Sequence, residues 1–393
     1  MHLPRISSGI AAAAVLVLAA GPATAAGGWT AVAAPPSGQN AFLVAAASTS
    51  DIDAWAVGSQ GGAGTTNLGS KALIDHWDGT AWGQSAVPAV GEPTAALDAV
   101  SASGPSDAWA VGQMRQQRYQ FLPLALHWNG SAWSTVNISV LGSTEVLGVA
   151  DVSRTDAYAF GSYTHSGQAA HWDGTAWTTF SPPQPANNNM GASLTAISAD
   201  GPDDVWMVGS ALEQIGASAY QNEPYSVHWD GTSWSLVPMP PVGSSNINAV
   251  DNLYGLKANS PTDVWAVGTS GVIDSVGSYS TLIEHWNGAT WTKVPSPNAG
   301  TDPLLHSVTT ADAANSVWAV GDDVVPGTTR RQSLTLHWDG SVWAVVASPN
   351  AAGASTTLSG VTTTPGASIV HAVGYSDSGT TTPQYNPFAL RNG

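Results

Sequence analysis

The chain has no cysteine at any of its 393 positions. Disulfides, thiol catalysis and a lipid on an N-terminal cysteine are thereby excluded. Charge is scarce too: Asp and Glu total 27, Lys and Arg total 10, and the net charge is −17. Lysine occurs only at positions 71, 257 and 293. A surface this acidic repels phosphate backbones and anionic membranes, so no nucleic-acid partner is expected. The longest apolar run, Ile10–Ala20, is too short to span a bilayer, and no membrane insertion is expected.

That run belongs to an export signal. Arg5 supplies a positive n-region, Ile10–Ala20 the apolar core, and Ala23-Thr24-Ala25 an A-x-A cleavage site. Residues 1–25 therefore read as a signal peptide, and the mature chain begins near Ala26 as a secreted, extracellular protein. Removing Arg5 leaves 9 basic against 27 acidic residues, or −18. The composition is not that of a disordered chain, because 18 Trp and many Val and Leu are available to bury.

The tryptophans are periodic. The string HWDGTAW occurs at His76–Trp82 and His171–Trp177. Close copies stand at His127–Trp133, His228–Trp234, His285–Trp291 and His337–Trp343. An Asp-Gly or Asn-Gly pair between two apolar runs predicts a minimal hairpin turn with positive φ at both central residues. A second string, DAWAVG or a variant, precedes each hairpin and ends at Gly58, Gly112, Gly161, Gly209, Gly268, Gly321 and Gly374. Its six intervals average about 53 residues, a propeller-scale period. Upstream of it lies a third apolar run, as in Leu97–Ala102, Leu194–Ala199, Leu305–Thr310 and Leu358–Thr363.

Each repeat thus holds four strands. Strand a is the Leu-x-x-Val run, b the DAWAVG string, c ends in His-Trp, and d carries the last Trp. The expected fold is all-β: a seven-bladed β-propeller of four-stranded antiparallel blades, one domain over residues 26–393. Phe388–Gly393 reads as a c strand cut off after an Asn-Gly turn, and Gly28–Val32 as a d strand without its c. Together they complete the last blade, so the N-terminal strand closes the ring. Every tryptophan falls on a repeat position. Strand b takes Trp55, Trp109, Trp206, Trp265 and Trp318, strand c another six and strand d another seven.

The Trp-Asp-Gly-Thr-x-Trp turn resembles a shortened Asp-box of sialidase-type propellers. Over residues 27–393 the repeat is similar to Trp-rich, secreted bacterial propellers described as kelch-like or galactose-oxidase-like. The resemblance implies the fold and no single activity. Galactose-oxidase chemistry needs a Tyr cross-linked to Cys, and there is no Cys. Sialidase chemistry needs an arginine triad. Arg115, Arg118, Arg154, Arg330, Arg331 and Arg391 do not match its spacing.

The six repeated histidines, one per blade, do not converge as metal ligands would. They read as partners of the Asp that opens strand b, satisfying buried polar groups. Blade seven lacks that pairing, with Ile369 and Leu390 in those places. Asp and Asn interchange at the turn (Asp78, Asn129, Asp173, Asp230, Asn287, Asp339), which fits turn capping and not calcium. No metal and no cofactor are expected.

The b–c and d–a connections are long and variable and open on one face, where binding residues concentrate. The b–c loops are read as holding seven of the nine tyrosines. The candidate ligand-binding residues are Tyr119, Tyr163, Tyr220, Tyr225, Tyr279, Tyr375, Arg115 and Arg118. Aromatic faces with charged and amide groups suit stacking on a sugar or docking of a polypeptide. The expected protein is a secreted, non-catalytic monomer binding an extracellular glycan or protein. One alternative is a polysaccharide-active hydrolase or lyase using Glu92, Glu145, Glu213 or Glu223 as loop-borne acids. Another is an envelope scaffold with a protein partner.

Overall fold

The fold is described from a computed structural model. It describes residues 28–393 except 35–36, 38–39, 62–69, 118–119, 162–167, 187–190, 215, 217–219, 243–245, 247, 273–278, 313–315, 365 and 379–383. Residues 1–25, read from sequence as a signal peptide, lie outside the described residues, as do Arg118, Tyr119 and Tyr163.

The chain folds as four-stranded antiparallel blades. Blade 2 shows the pattern: Thr94–Gly104 (a), Asp107–Gln117 (b), Gln120–Trp128 (c) and Trp133–Thr135 (d). There are five separate four-stranded sheets and one of eight strands. The eight divide into two blades, 4 and 5, joined by the single parallel pair Asn222–Val250. The total is seven blades. Each strand a packs on strand a of the next blade, and that of blade 7, Ser355–Thr362, packs on that of blade 1, Phe42–Ser50. Thr30–Val32 pairs with the C-terminal strand Tyr385–Asn392 and supplies strand d of blade 7. The ring is closed by both ends of the chain.

The repeated residues explain the seams. The b-strand Trp of one blade lodges against the c and d Trp of the following blade. Trp109 lies 5.2 Å from Trp172 and 5.1 Å from Trp177. Trp55, Trp206 and Trp265 make the same pair of contacts. Burying an aromatic side chain of this size contributes roughly 2–3 kcal/mol. In blades 1, 2, 4, 5 and 6 the strand-b Trp packs on the c-strand His, as Trp206 does on His228 at 4.2 Å, and in blade 3 Tyr158 takes its place against His171.

Those histidines pair as expected. His76, His127, His171, His228 and His285 bond Asp53, Asp107, Asp156, Asp204 and Asp263 at 2.6–2.8 Å. In blade 6, His337 meets Ser316 at 2.9 Å. Asp53 shows the balance of forces. Burial opposes its charge, but hydrogen bonds from His76 and Thr49 outweigh burial and hold its carboxyl below the usual range.

Three local expectations are corrected. The c–d connection is a four-residue loop, with Asp78 N–H donating to the Ala81 carbonyl at 3.3 Å, and only its glycine has positive φ. The Asp78 carboxylate accepts Thr80 N–H, Thr80 Oγ1 and Ala81 N–H at 2.6–2.9 Å, so the side chain and not a second left-handed residue holds the turn. The b–c connections are also shorter than read. In blade 4, strands b and c run from Asp204 to Gln214 and from Tyr220 to Trp229, and Glu213 and Glu223 lie on these strands. In blade 7 the register shifts by one: Arg391, not Leu390, stands opposite His371 at the repeated histidine position. Asn392 occupies the c-Trp position and lies within the strand, so Asn392-Gly393 is not the turn pair.

Candidate binding site at the axial mouth

The closing Gly of strand b shapes the inner strand. A Cβ on Gly268 would sit 1.8 Å from the Asn252 carbonyl oxygen, so only glycine admits this approach. Opposite that glycine, strand a bulges by one residue in every blade. The bulged residues are Val44, Asp98, Leu147, Thr195, Tyr254, His306 and Ser359. Just beyond them the seven inner strands enclose an axial channel of about 230 Å³, lined mainly by Ala, Ser, Thr and Val with Lys257 and Asp151. The bulges therefore ring the mouth of this channel, at the end where the d–a connections enter.

Three consecutive blades bring functional groups together there. Tyr254 (blade 5) is 37% exposed and lies 6.2 Å, ring to ring, from His306 of blade 6. The His306 Nε2 is 2.8 Å from Asp322 Oδ1, and Arg331 donates to Asp322 Oδ2. Asp322 itself is buried, so one carboxylate fixes both a ring and a guanidinium. Tyr375 of blade 7 feels the charges of both Asp322 and Arg331. Burial raises its hydroxyl first, while a hydrogen bond with Thr357 acts the other way. Burial also raises the Tyr254 hydroxyl, with Tyr279 adding to the effect. Neither phenol is poised as a base at neutral pH.

A second group lies on blades 2 and 3. Burial first, and then the neighbouring Glu145, push the Asp98 carboxyl up to about 7, against a hydrogen bond from Gln113 and the charge of Arg115. Arg115 stacks over Phe121 at 4.5 Å and reaches Gln113 Oε1 at 3.4 Å.

The candidates named from sequence separate accordingly. Tyr279 lies near Tyr254, Tyr375 lies near Asp322 and Arg331 with its ring packed on Phe42 and Tyr385, and Arg115 sits beside Asp98. Tyr220 is half-buried on a strand at the far end of the blade 4 hairpin. Tyr225 is 3% exposed and donates its hydroxyl to the Pro183 carbonyl at 2.6 Å. It packs the core between blades 3 and 4 and presents no stacking face. Glu213 and Glu223 line an outer groove of about 440 Å³ beside Met239 and Pro241. Glu92 lines another of about 610 Å³ between blades 1 and 2. Among the described residues no three His, Asp or Glu side chains form a metal-binding group.

Sequence reading missed Tyr254, His306 and Asp98 because they lie on strand a and not in a loop. The signal was present: each breaks the repeat at the position after the strand's Leu, where other blades carry Val44, Leu147, Thr195 and Ser359.

No family model matches the chain, and no curated protein matches it. Solved structures do. YCF48 bound to a D1 peptide superposes with a TM-score of 0.53 at 13% identity, covering 93% of this chain and 96% of that one. An ulvan lyase of polysaccharide lyase family PL25, bound to a GlcA–Rha3S unit, gives 0.57 at 7% identity, covering 92% and 94%. The polysaccharide lyase Uly1 gives 0.53 at 11% identity, covering 91% and 90%. This chain shares their fold.

Proposed function

We propose that the protein is exported and binds carbohydrate at the axial mouth, without cleaving it. The observation that carries this reading is the convergence of Tyr254, His306, Arg331 and Tyr375 from three blades around one opening. An exposed phenol ring offers a stacking face, and an imidazole and a guanidinium held by one buried carboxylate offer oriented donors to sugar hydroxyls. Similar folds bound to a saccharide or a peptide support a ligand on this scaffold.

A second reading, polysaccharide cleavage, is favoured by Asp98. A carboxyl that keeps its proton near neutrality beside a second acid, Glu145, is the pairing that acid–base chemistry uses.

A binding screen of residues 26–393 on a glycan and polysaccharide panel, with product analysis of each hit, tests both. The expected result is binding without new reducing ends or unsaturated products, weakened about tenfold or more by Tyr254→Ala or Arg331→Gln. Products that vanish in Asp98→Asn would establish cleavage. Binding unchanged in both mouth variants would remove the site from the mouth, and no binding to any glycan would favour a protein partner.

A further inference from the structure

The face that carries the a–b and c–d turns has a repeated feature of its own. In blades 1 to 5 the indole N–H of the c-strand Trp donates to a carbonyl in the a–b turn of the same blade, at 3.0–3.2 Å. The residue offering that carbonyl is Asp51 in blade 1, Arg154 in blade 3, and proline in blades 2, 4 and 5 (Pro105, Pro202, Pro261). Its side chain decides whether the seam to the preceding blade is bridged. Arg154 donates to the Ser106 carbonyl and Oγ at 2.8 and 3.2 Å. Asp51 accepts Ser368 N–H, Ser368 Oγ and Ile369 N–H at 2.8–3.2 Å. A proline ring has no polar group to send across. The tryptophans follow this difference. Trp77 and Trp172, in the two bridged blades, are 1% and 9% exposed, whereas Trp128, Trp229 and Trp286 are only half-buried. Trp338 of blade 6 is half-buried as well. Part of an indole is therefore open at four seams: 1–2, 3–4, 4–5 and 5–6.

At the 5–6 seam the opening is a cleft of about 490 Å³, within the roughly 300–1,000 Å³ of small-ligand sites. It is lined by Trp338 from blade 6 and by Trp265, Asp263, His285, Ser260 and Thr262 from blade 5. His285 Nε2 is 2.7 Å from Asp263 Oδ1. Burial opposes the charge of Asp263, but hydrogen bonds from His285 and Asn259 hold its carboxyl below the usual range. A carboxylate can only accept, so Nε2 carries the proton and Nδ1 is left as an acceptor. The same His–Asp pair stands in blades 1, 3 and 4, on the other three open seams. Among the described residues no Lys or Arg lines the cleft.

We propose that these four clefts are a second set of binding sites, separate from the axial mouth, each taking one uncharged pyranose unit stacked on the c-strand indole. The C–H face of the sugar covers the open part of the ring. In the 5–6 cleft its hydroxyls meet the imidazole and the hydroxyls of Ser260 and Thr262. The carboxylate of Asp263, with no cation beside it, selects against an acidic sugar. Clefts repeated on one face suit a polymer that offers the same unit many times.

Indole N–H signals in proton–nitrogen NMR of residues 26–393, assigned by single Trp→Phe variants, test this. The probes are methyl β-D-glucopyranoside, methyl β-D-galactopyranoside and methyl α-D-mannopyranoside, with methyl β-D-glucuronide as the acidic control. At least one neutral glycoside should shift Trp128, Trp229, Trp286 and Trp338 with a Kd on the order of 1–10 mM, leave Trp77 and Trp172 unmoved, and bind about tenfold or more tightly than the glucuronide. Arg154→Ala removes the bridge over the 2–3 seam and should add Trp172 to the responding set. Pro261→Arg places a guanidinium opposite Asp203 of blade 4 and should silence Trp286 alone. The mouth variants Tyr254→Ala and Arg331→Gln should leave all four responses unchanged, so this proposal and the mouth reading fail separately. No shift with any neutral glycoside, equal shifts at the bridged and open seams, or a Trp172 that stays silent in folded Arg154→Ala would each overturn the proposal.

Discussion

Asp75 and Glu284 occupy one repeat position, where other blades carry Leu126, Ala170, Val227 and Leu336. Both are buried, and none of their carboxyl oxygens has a partner. Burial pushes Asp75 up to about 7. It also pushes Glu284 up, to about 8, with Lys293 opposing and Asp251 adding. A folded-state carboxyl that holds its proton longer than the unfolded one costs stability as pH rises from about 4 to 7. Asp75→Asn removes that titration. It should stabilise the protein by about 2–4 kcal/mol more at pH 8 than at pH 4, measured by urea unfolding at both values. An equal effect at both would show that Asp75 is charged in the fold. His337 gives a second test. Burial lowers its pKa, and its partner is the neutral Ser316. Ser316→Asp supplies the anionic partner found in blades 1 to 5 and should raise the pH at which His337 titrates, followed by proton NMR.

At the level of strands and turns, the three-ring contact between adjacent blades sets the cost of losing a residue. Trp109 is fully buried and touches two rings of the next blade, so Trp109→Ala should cost about 3–5 kcal/mol. Trp128, half-buried on strand c, should cost clearly less; equal losses in denaturant titrations would refute the wedge as the main seam contact. The strands themselves were legible in the sequence because a buried blade demands alternating Val, Trp and Ala, and the Asp–His pairing because buried polar groups require partners. What the sequence concealed was local geometry. The Asp-Gly pair did not reveal that the Asp78 side chain would support a longer turn. The polar residues Glu213 and Glu223 looked like loop because nothing local says that a hairpin continues past its hydrophobic part. Tyr254 and His306 were concealed for a different reason: a bulge on strand a is imposed by the glycine approaching from strand b, a tertiary event.

For the whole molecule, closure depends on Gly28–Val32, which supplies strand d of blade 7 and puts Trp29 5.2 Å from Trp318 across the seam between blades 6 and 7. A chain lacking residues 28–34 should lose the partner of strand Tyr385–Asn392 and unfold at a lower temperature. Adding the excised segment as a free peptide should restore part of the loss in a thermal scan. No rescue at saturating peptide would mean that strand d acts only when tethered. The seam contacts also have an optical consequence. Indoles about 5 Å apart couple their transition dipoles, and here such triads recur from blade to blade. Excitation absorbed in one blade can migrate around the ring before it is emitted, so tryptophan emission from the closed molecule should be strongly depolarised. Tyr158 between blades 3 and 4 and the imidazole of His371 between blades 7 and 1 interrupt that circuit at two points. Emission anisotropy would then report ring integrity without any added label.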